Sequence, residues 1–490
     1  MPDSMIKTDG RYRELLVYGS GLIFVLANAL LMYREVYYLL LLPFMLAVFY
    51  LAFFSLDKLF MTVVFLTPLS LELSRLTGGN LPVDISLPTE PLIIVIMLMI
   101  FFRLLYYNRI NPEVLYHPVS LAIIFYLFWL LITSITSTMP VVSFKFLLVR
   151  IWFITVFYFL AITIFSRRKN INTFLWCYIL AMLVVIVYTL YNHAGYGLVA
   201  QRAAHWVVRP FYNDHTDYGA ALALFIPVLA VLSSRTISPR PLSLLARFLL
   251  VVFLFALVFS YSRAAWLSVV AAIGVWVLVR LRIRLATLVS FGLVGAVLIV
   301  MLWGDILREL EKNTQDSSAD FQEHVTSMTN ITSDASNLER INRWKAAIAM
   351  FRERPLFGWG PGTYMFQYAP FQNSYDRTII STNLADGGDA HSEYLGPLSE
   401  TGLVGMLSIV VVALLSLITG FRLLKKLKKR KDRLLVLGIL LGLITYLVHG
   451  TLNNFLHSDK AAVPFWGFIA ILVAMDLYGK KSDAQEVADR

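Results

Sequence analysis

The chain has 490 residues, 58% of them hydrophobic and only 15% charged, with a formal net charge of +11. At a mean hydropathy of +0.70 this composition excludes a soluble globular domain and indicates an integral membrane protein. The single cysteine, Cys177, excludes a disulfide framework. No basic patch lies in a foldable soluble segment, which argues against a nucleic-acid surface.

A helix needs about 20 apolar residues to cross ~30 Å of hydrocarbon. In chain order such runs occupy 15–33, 36–55, 59–73, 91–106, 119–138, 146–166, 171–192, 218–234, 244–261 and 264–279. They continue at 285–303, 402–420, 434–449 and 462–478. "ANA" at 27–29 resembles a signal cleavage site, but the long apolar run around it reads as a first span. The stretch 249–279 is interrupted only by "SYSR" at 260–263. As one helix it would reach roughly 46 Å, too long for one crossing, so two spans are expected there.

Lys and Arg gather on the cytoplasmic side of membrane proteins. With both termini inside, the larger share of the 42 basic residues falls in short inner segments, including "RRK" (167–169) and "RLLKKLKKRKDR" (422–433). An even number of spans preserves this pattern. The expected fold is an all-α polytopic membrane protein of about 12–14 spans. Its expected parts are an amino-terminal bundle over 1–303, a large outer loop over 304–401, and carboxy-terminal spans with a tail over 402–490.

Two outer segments break the apolar pattern. The first, 193–217, holds Arg202, His205 and Arg209. The second is the large loop, too long to be structureless without a role. Within it, "NLERINRWKAAIAMFRERP" (337–355) predicts a helix with an apolar stripe of Leu338, Ile341, Trp344, Ile348 and Phe351, ended by Pro355. Arg343 and Arg354 fall opposite the stripe, and Arg340 falls at its border. An amphipathic helix on the outer leaflet accounts for that pattern as well as a functional site does. "PLFGWGPG" (355–362) follows, and its glycines, Gly360 among them, permit close backbone approach.

Arg263 in "YSRAAW" sits at the outer apex of the split run, and Lys145 and Arg150 flank the sixth span. These cations oppose the positive-inside trend and suggest an anionic ligand, for which guanidinium forks suit phosphate oxygens. His391 stands before a span and after "DGGDA". A neutral imidazole there is a competent general base for a hydroxyl. Gly402, eleven residues on, is expected near the same helical face, with Pro397 kinking or starting the helix. No metal site follows, because "NDHTD" (213–217) and "HSDK" (457–460) lack helical ligand spacing.

Four stretches resemble the O-antigen ligase and polymerase superfamily of bacterial envelope glycosyltransferases. They are "FYNDHTDYGAALALFIPVLA" (211–230), "YSRAAWL" (261–267), "ERINRWKAAIAMFRERPLFGWGPG" (339–362) and "HSEYLGPLSETGLVG" (391–405). The last fits the family's His-[Asn/Ser/Gln]-x9-Gly-x-x-Gly pattern through His391, Gly402 and Gly405. The resemblance implies a GT-C-like, metal-independent transferase with no cofactor in the bacterial inner membrane. Such an enzyme moves a glycan from undecaprenyl pyrophosphate to an acceptor hydroxyl, on lipid A-core or another glycan, at the periplasmic face. It implies a base at His391 and pyrophosphate binding at Arg263 and Arg340; Arg343, Arg202 and Arg209 join them by position. The family commonly has twelve spans, fewer than the apolar runs found here.

The leading expectation is a ligase. The alternatives are a repeat-unit polymerase, a transferase to protein hydroxyls, and a lipid-glycan transporter. A transporter should carry charges through several mid-spans, whereas here the polar residues gather on one face.

Overall fold

The computed structural model describes residues 5–76, 85–107, 111–281, 335–373 and 388–488, with positions 290, 301 and 381. The chain divides into two units, Met1–Phe60 and Met61–Arg490. Helices of seven residues or more are numbered here in chain order. In the first unit, α1 (Met5–Tyr33) and α2 (Leu42–Phe54) are apolar and largely exposed. Their apolar parts, Tyr18–Tyr33 and Tyr38–Phe54, are shorter than the other candidate spans.

Among the described residues of the second unit, ten helices are long and apolar enough to cross a membrane. They are α4 (Thr89–Tyr107), α5 (Pro118–Ile135), α6 (Pro140–Ile154, continuing through a π turn to Ile164), α7 (Arg168–Tyr196), α9 (His215–Leu232), α10 (Arg240–Phe259), α11 (Arg263–Arg280), α13 (Leu395–Lys426), α14 (Arg430–His449) and α15 (Asp459–Ala488). The all-α polytopic expectation is borne out. The only strands among the described residues are two-residue pieces, Leu71–Glu72 pairing antiparallel with Ser86–Leu87. The expected span at 285–303 lies outside the described residues.

The expected span at 59–73 is not one. The helix there, α3 (Leu56–Leu66), has eleven residues, followed by a 3₁₀ turn at Thr67–Leu69. Pro68 lacks the N–H that would continue the ladder, and the Thr67 hydroxyl bonds the Val63 carbonyl at 2.9 Å. The split of 249–279 is borne out. Helix α10 ends at Phe259, Tyr261 turns the chain at φ +51°, and α11 starts at Arg263.

The core lies along α9, α14 and α15. The span windows of α9 and α15 are each 83% buried, against 22% for α4 at the periphery. Small residues allow this: α9 carries Gly219, Ala220, Ala221 and Ala223, all buried. A Cβ on Gly442 of α14 would lie 2.6 Å from the Leu224 carbonyl of α9, so only glycine permits that approach.

Helix α13 is kinked at Gly402, and its uninterrupted part, from Leu403 to Lys426, is roughly 36 Å long, enough to cross a ~30 Å hydrocarbon layer. It therefore separates the His391 end from the basic stretch after Lys426. A cysteine at Val199, which is 76% exposed, is expected to react with a membrane-impermeant thiol reagent in a Cys177→Ser background. A cysteine at Lys428 is expected not to react in sealed inverted-free cells. The opposite labelling would reverse the orientation.

Candidate functional site

The site is built around residues 388–394, just before α13. His391 has a left-handed backbone, φ +46°, and Asp389 holds it there. The Asp389 Oδ1 accepts the His391 backbone N–H at 2.9 Å, and the His391 Nδ1 lies 3.0 Å from the same oxygen. An Nδ1–H given to a carboxylate leaves the Nε2 lone pair as the basic position. The ring retains 36% of its side-chain exposure, so a substrate can reach it. Burial holds its pKa below the ordinary imidazole value; Asp389 opposes that shift, and Arg340 and Arg343 add to it. At neutral pH the ring is an uncharged base.

Asp389 is itself held. With its amide nitrogen turned toward the carboxylate, Asn454 donates to Oδ1 at 3.1 Å and to Oδ2 at 2.7 Å. The backbone carbonyl of Asp389 accepts from Arg343 Nη1 at 3.2 Å. Arg343 lies on α12 (Ala335–Glu353), where Nε pairs with Glu339 at 2.8 Å and the guanidinium covers the Tyr368 ring at 4.8 Å. Both members of the ion pair are buried. A side chain on Gly388 would overlap the Arg343 guanidinium.

The inner face of α12 is therefore not its apolar stripe. Glu339, Asn342, Arg343, Ala346, Ala347 and Met350 are the buried positions, while Ile341, Trp344, Ile348 and Phe351 are half-buried. The alanines allow close contact, and Glu339 neutralises Arg343. Arg343, expected opposite the packing face, points into the protein instead. At the end of this segment Arg352, Glu353, Arg354 and Pro355 are exposed. Removing one partner of such a buried pair costs about 3–5 kcal/mol. Arg343→Ala is expected to lower the thermal unfolding midpoint clearly, and an unchanged midpoint would show the pair to be dispensable.

A second support comes from the turn between α14 and α15, which the sequence reading left out. The Glu393 backbone N–H donates to the Gly450 carbonyl at 2.8 Å, and Tyr394 Oη donates to the Leu447 carbonyl at 2.9 Å. The Glu393 carboxylate accepts from Tyr446 Oη at 2.7 Å and from the Phe455 and Leu456 backbone N–H groups at 2.8 and 2.9 Å. Arg150, counted among the outer cations, is buried and donates to the Leu456 carbonyl at 2.6 Å. It braces this turn. Lys145 remains exposed.

A third support is the entry to α13. His391 precedes the helix, which starts at Leu395, so His391 and Gly402 do not share a helical face. The kink falls at Gly402 (φ +70°), not at Pro397, because the Leu403 N–H turns back to the Pro355 carbonyl at 3.0 Å. A Cβ on Gly402 would overlap the Leu356 carbonyl, and one on Gly360 (φ +116°) would overlap Ser137. Gly405 packs in the same helix against Trp129. Gly402→Ala combines a strained φ with a backbone clash. It is expected to cost at least about 1–3 kcal/mol, read as a lower unfolding midpoint.

Arg263 is the first residue of α11, and Arg340 lies one turn into α12. His215, which opens α9, feels the charges of both, and its ring meets that of His205 edge-on at 4.1 Å between centroids. Arg340 also acts on His391 and on His449. Asp214 caps α9, accepting from the Thr216 N–H and hydroxyl at 2.7 and 2.6 Å and from the Asp217 N–H at 3.1 Å. Burial would raise its pKa, but these hydrogen bonds and the nearby His215 hold it below the usual carboxylate value. Arg202 and Arg209 are exposed, on and just after α8 (Gln201–Val207), and Arg209 Nε donates to the Asn213 carbonyl at 3.3 Å. The structure thus gathers Arg263, Arg340, Arg343 and His391 around Asp214, His215, Asp389 and His449.

No curated protein matches this chain. Residues 248–410 match the family model described as O-antigen ligase. The matched stretch contains Arg263, Arg340, Arg343, Asp389, His391, Gly402 and Gly405, and it ends before the supporting turn at 450–456. Over that third of its length the chain is similar to O-antigen ligases.

Proposed function

We propose that this protein is an O-antigen ligase that transfers a glycan from undecaprenyl pyrophosphate to a hydroxyl of lipid A-core at the periplasmic face of the inner membrane. The observation that carries this reading is the Asp389–His391 pair, anchored by Asn454 and set within the field of Arg340. His391 Nε2 takes the proton of the acceptor hydroxyl as that oxygen attacks the anomeric carbon. The bond from that carbon to the diphosphate oxygen breaks, and undecaprenyl pyrophosphate leaves. Arg263 and Arg340 meet the charge that develops on the leaving group, with Arg202 and Arg209 at the exposed rim. Arg343 positions the Asp389 carbonyl and thereby the base. The basic loop at 427–429 faces the cytoplasm and the His391 site faces the periplasm, following the positive-inside trend.

The test is transfer by the purified protein from a lipid-linked glycan, with lipid A-core and a second lipid-linked repeat offered together. Product on lipid A-core supports the ligase. Product only on the lipid-linked repeat would make the protein a polymerase. Arg263→Lys keeps the charge but loses the bidentate fork. It is expected to lower transfer roughly 10- to 100-fold, the range for a lost hydrogen bond to a charged group. Equal activity at matched expression would remove Arg263 from the donor site.

A further inference from the structure

At the end of the bundle away from His391, a groove of about 320 Å³ opens between α3, α7 and the joint of α9 with α10. Helix α14 fixes which end this is. Its start lies beside Arg168 of α7 through the Arg168–Asp432 pair at 2.5 Å, and it ends at the Gly450 turn that holds the His391 loop. One wall of the groove is a single face of α7, at positions i, i+3, i+4, i+7, i+8 and i+11 from Lys169. It begins polar, with Lys169, Asn172 and Thr173, and turns apolar at Trp176, Cys177 and Leu180. That run is roughly 16 Å long, the depth of one leaflet in a ~30 Å hydrocarbon layer.

The facing wall joins the apolar Leu232, Ile237 and Leu242 to Ser238 and Pro239 at the start of α10, and Phe65 comes from α3. Ser238 is 5% exposed, and its hydroxyl has no hydrogen-bond partner among the described residues. Buried hydroxyls are nearly always paired, so this one needs an explanation. Helix α10 begins with no side-chain cap, which leaves the N–H groups of Arg240 and Leu242 open to an anion, Pro241 having none. Lys169 is exposed and makes no ion pair among the described residues. The segments 166–180 and 232–247 hold six basic residues and no acidic one. Basic residues alone are the topology signal of a cytoplasmic flank. An apolar groove behind them, with an unpartnered buried hydroxyl and an uncapped helix start on its wall, is no part of that signal.

We infer that this groove binds one anionic phospholipid of the leaflet at that end, cytoplasmic in the proposed orientation. The lipid phosphate sits at Lys169, the Ser238 hydroxyl and the start of α10. One acyl chain runs along Trp176, Cys177 and Leu180 toward the membrane centre. Apolar walls accept any tail, whereas the cation, the hydroxyl and the N–H groups select a negative head. This lipid is separate from the lipid-linked donor, because the length of α14, roughly 30 Å, lies between the groove and the His391 loop.

The experiment uses Cys177, the only cysteine, which is half-buried on the groove wall. Its modification by methyl methanethiosulfonate is followed in the delipidated full chain in an uncharged detergent. Phosphatidylglycerol is expected to slow the reaction saturably. Phosphatidylcholine with the same chains is expected to need about 10-fold more lipid for the same effect. Glycerol phosphate, which has no chains, is expected to give no protection. Lys169→Glu turns attraction into repulsion at an exposed position where folding does not depend on the side chain. It is expected to raise the half-protecting concentration of phosphatidylglycerol about 10-fold or more and to leave that of phosphatidylcholine unchanged. Equal protection by the two phospholipids, or an unchanged phosphatidylglycerol response in Lys169→Glu, overturns the lipid site. Protection by glycerol phosphate overturns it too, leaving an anion site without a chain. If Cys177 fails to react even without lipid, native mass spectrometry of the chain titrated with the two phospholipids decides. Phosphatidylglycerol that the wild type retains and Lys169→Glu loses supports the site, and equal retention or none overturns it.

Discussion

His391→Ala is expected to lower glycan transfer by about 10²–10⁴-fold, the usual share of a positioned general base. The variant is expected to insert and fold, because the loop keeps its other ties at Glu393, Tyr394 and Asp389. It is also expected to bind undecaprenyl pyrophosphate as the wild type does, since the arginines are intact. Loss of rate with retained donor binding is the diagnostic pair. If both vanish together, His391 is a phosphate ligand or a tether; if neither changes, the base lies elsewhere. The pH dependence gives an independent reading. The reaction needs neutral His391, so the rate should rise with pH through its pKa. Burial, with Arg340 and Arg343, holds that pKa below the ordinary ~6.5 despite Asp389. The acidic limb is therefore expected below that value, and a limb well above it would contradict the assignment.

The spans were legible because a single physical requirement, apolar length, writes them into local sequence. The turn at Tyr261 was legible for the same reason, since an unbroken helix over 249–279 would have been too long. The false span at 59–73 shows the limit of that rule. It is apolar on average, yet Pro68 stops the helix and the Thr67 hydroxyl satisfies a carbonyl near its end. In α12 the helix itself was legible but its buried face was not. Hydrophobic periodicity assumes that charge faces out, whereas Glu339 and Arg343 bury each other beside Ala346 and Ala347. The least legible part is the support of His391. Its Asp389 stands two residues away and was visible in "DGGDAH". Asn454, Gly450 and the backbone N–H groups that bind Glu393 come from some sixty residues further on. No local pattern joins them. The one available hint was the polar run "GTLNNFLHSDK" (450–460) between two apolar spans.

Asp389→Ala is expected to lower transfer roughly 10²-fold or more, approaching the loss at His391 itself, because Asp389 fixes both the backbone and the ring of that residue. Asp389→Asn separates the hydrogen bonds from the charge. The new carboxamide can keep its oxygen toward the His391 N–H and Nδ1–H, provided its nitrogen finds an acceptor on the other side. Asn454 offers one by rotating its amide, a turn that exchanges its oxygen and nitrogen. The geometry then survives, and only the negative charge is lost. Asp389→Asn is therefore expected to retain clearly more activity than Asp389→Ala. Asp389 raises the pKa of His391, so the acidic limb of the residual rate should move to lower pH. In the double variant Asp389→Asn, Asn454→Leu no acceptor remains. The carboxamide is then free to rotate and to present its N–H to Nδ1, which forces the ring proton onto Nε2 and removes the base. Activity is expected to fall to the level of Asp389→Ala, with donor binding retained. Wild-type rates in Asp389→Ala would sink the positioning role of the carboxylate. Equal, near-complete losses in Asp389→Ala and Asp389→Asn would mean that the charge, and not the hydrogen-bond geometry, governs His391.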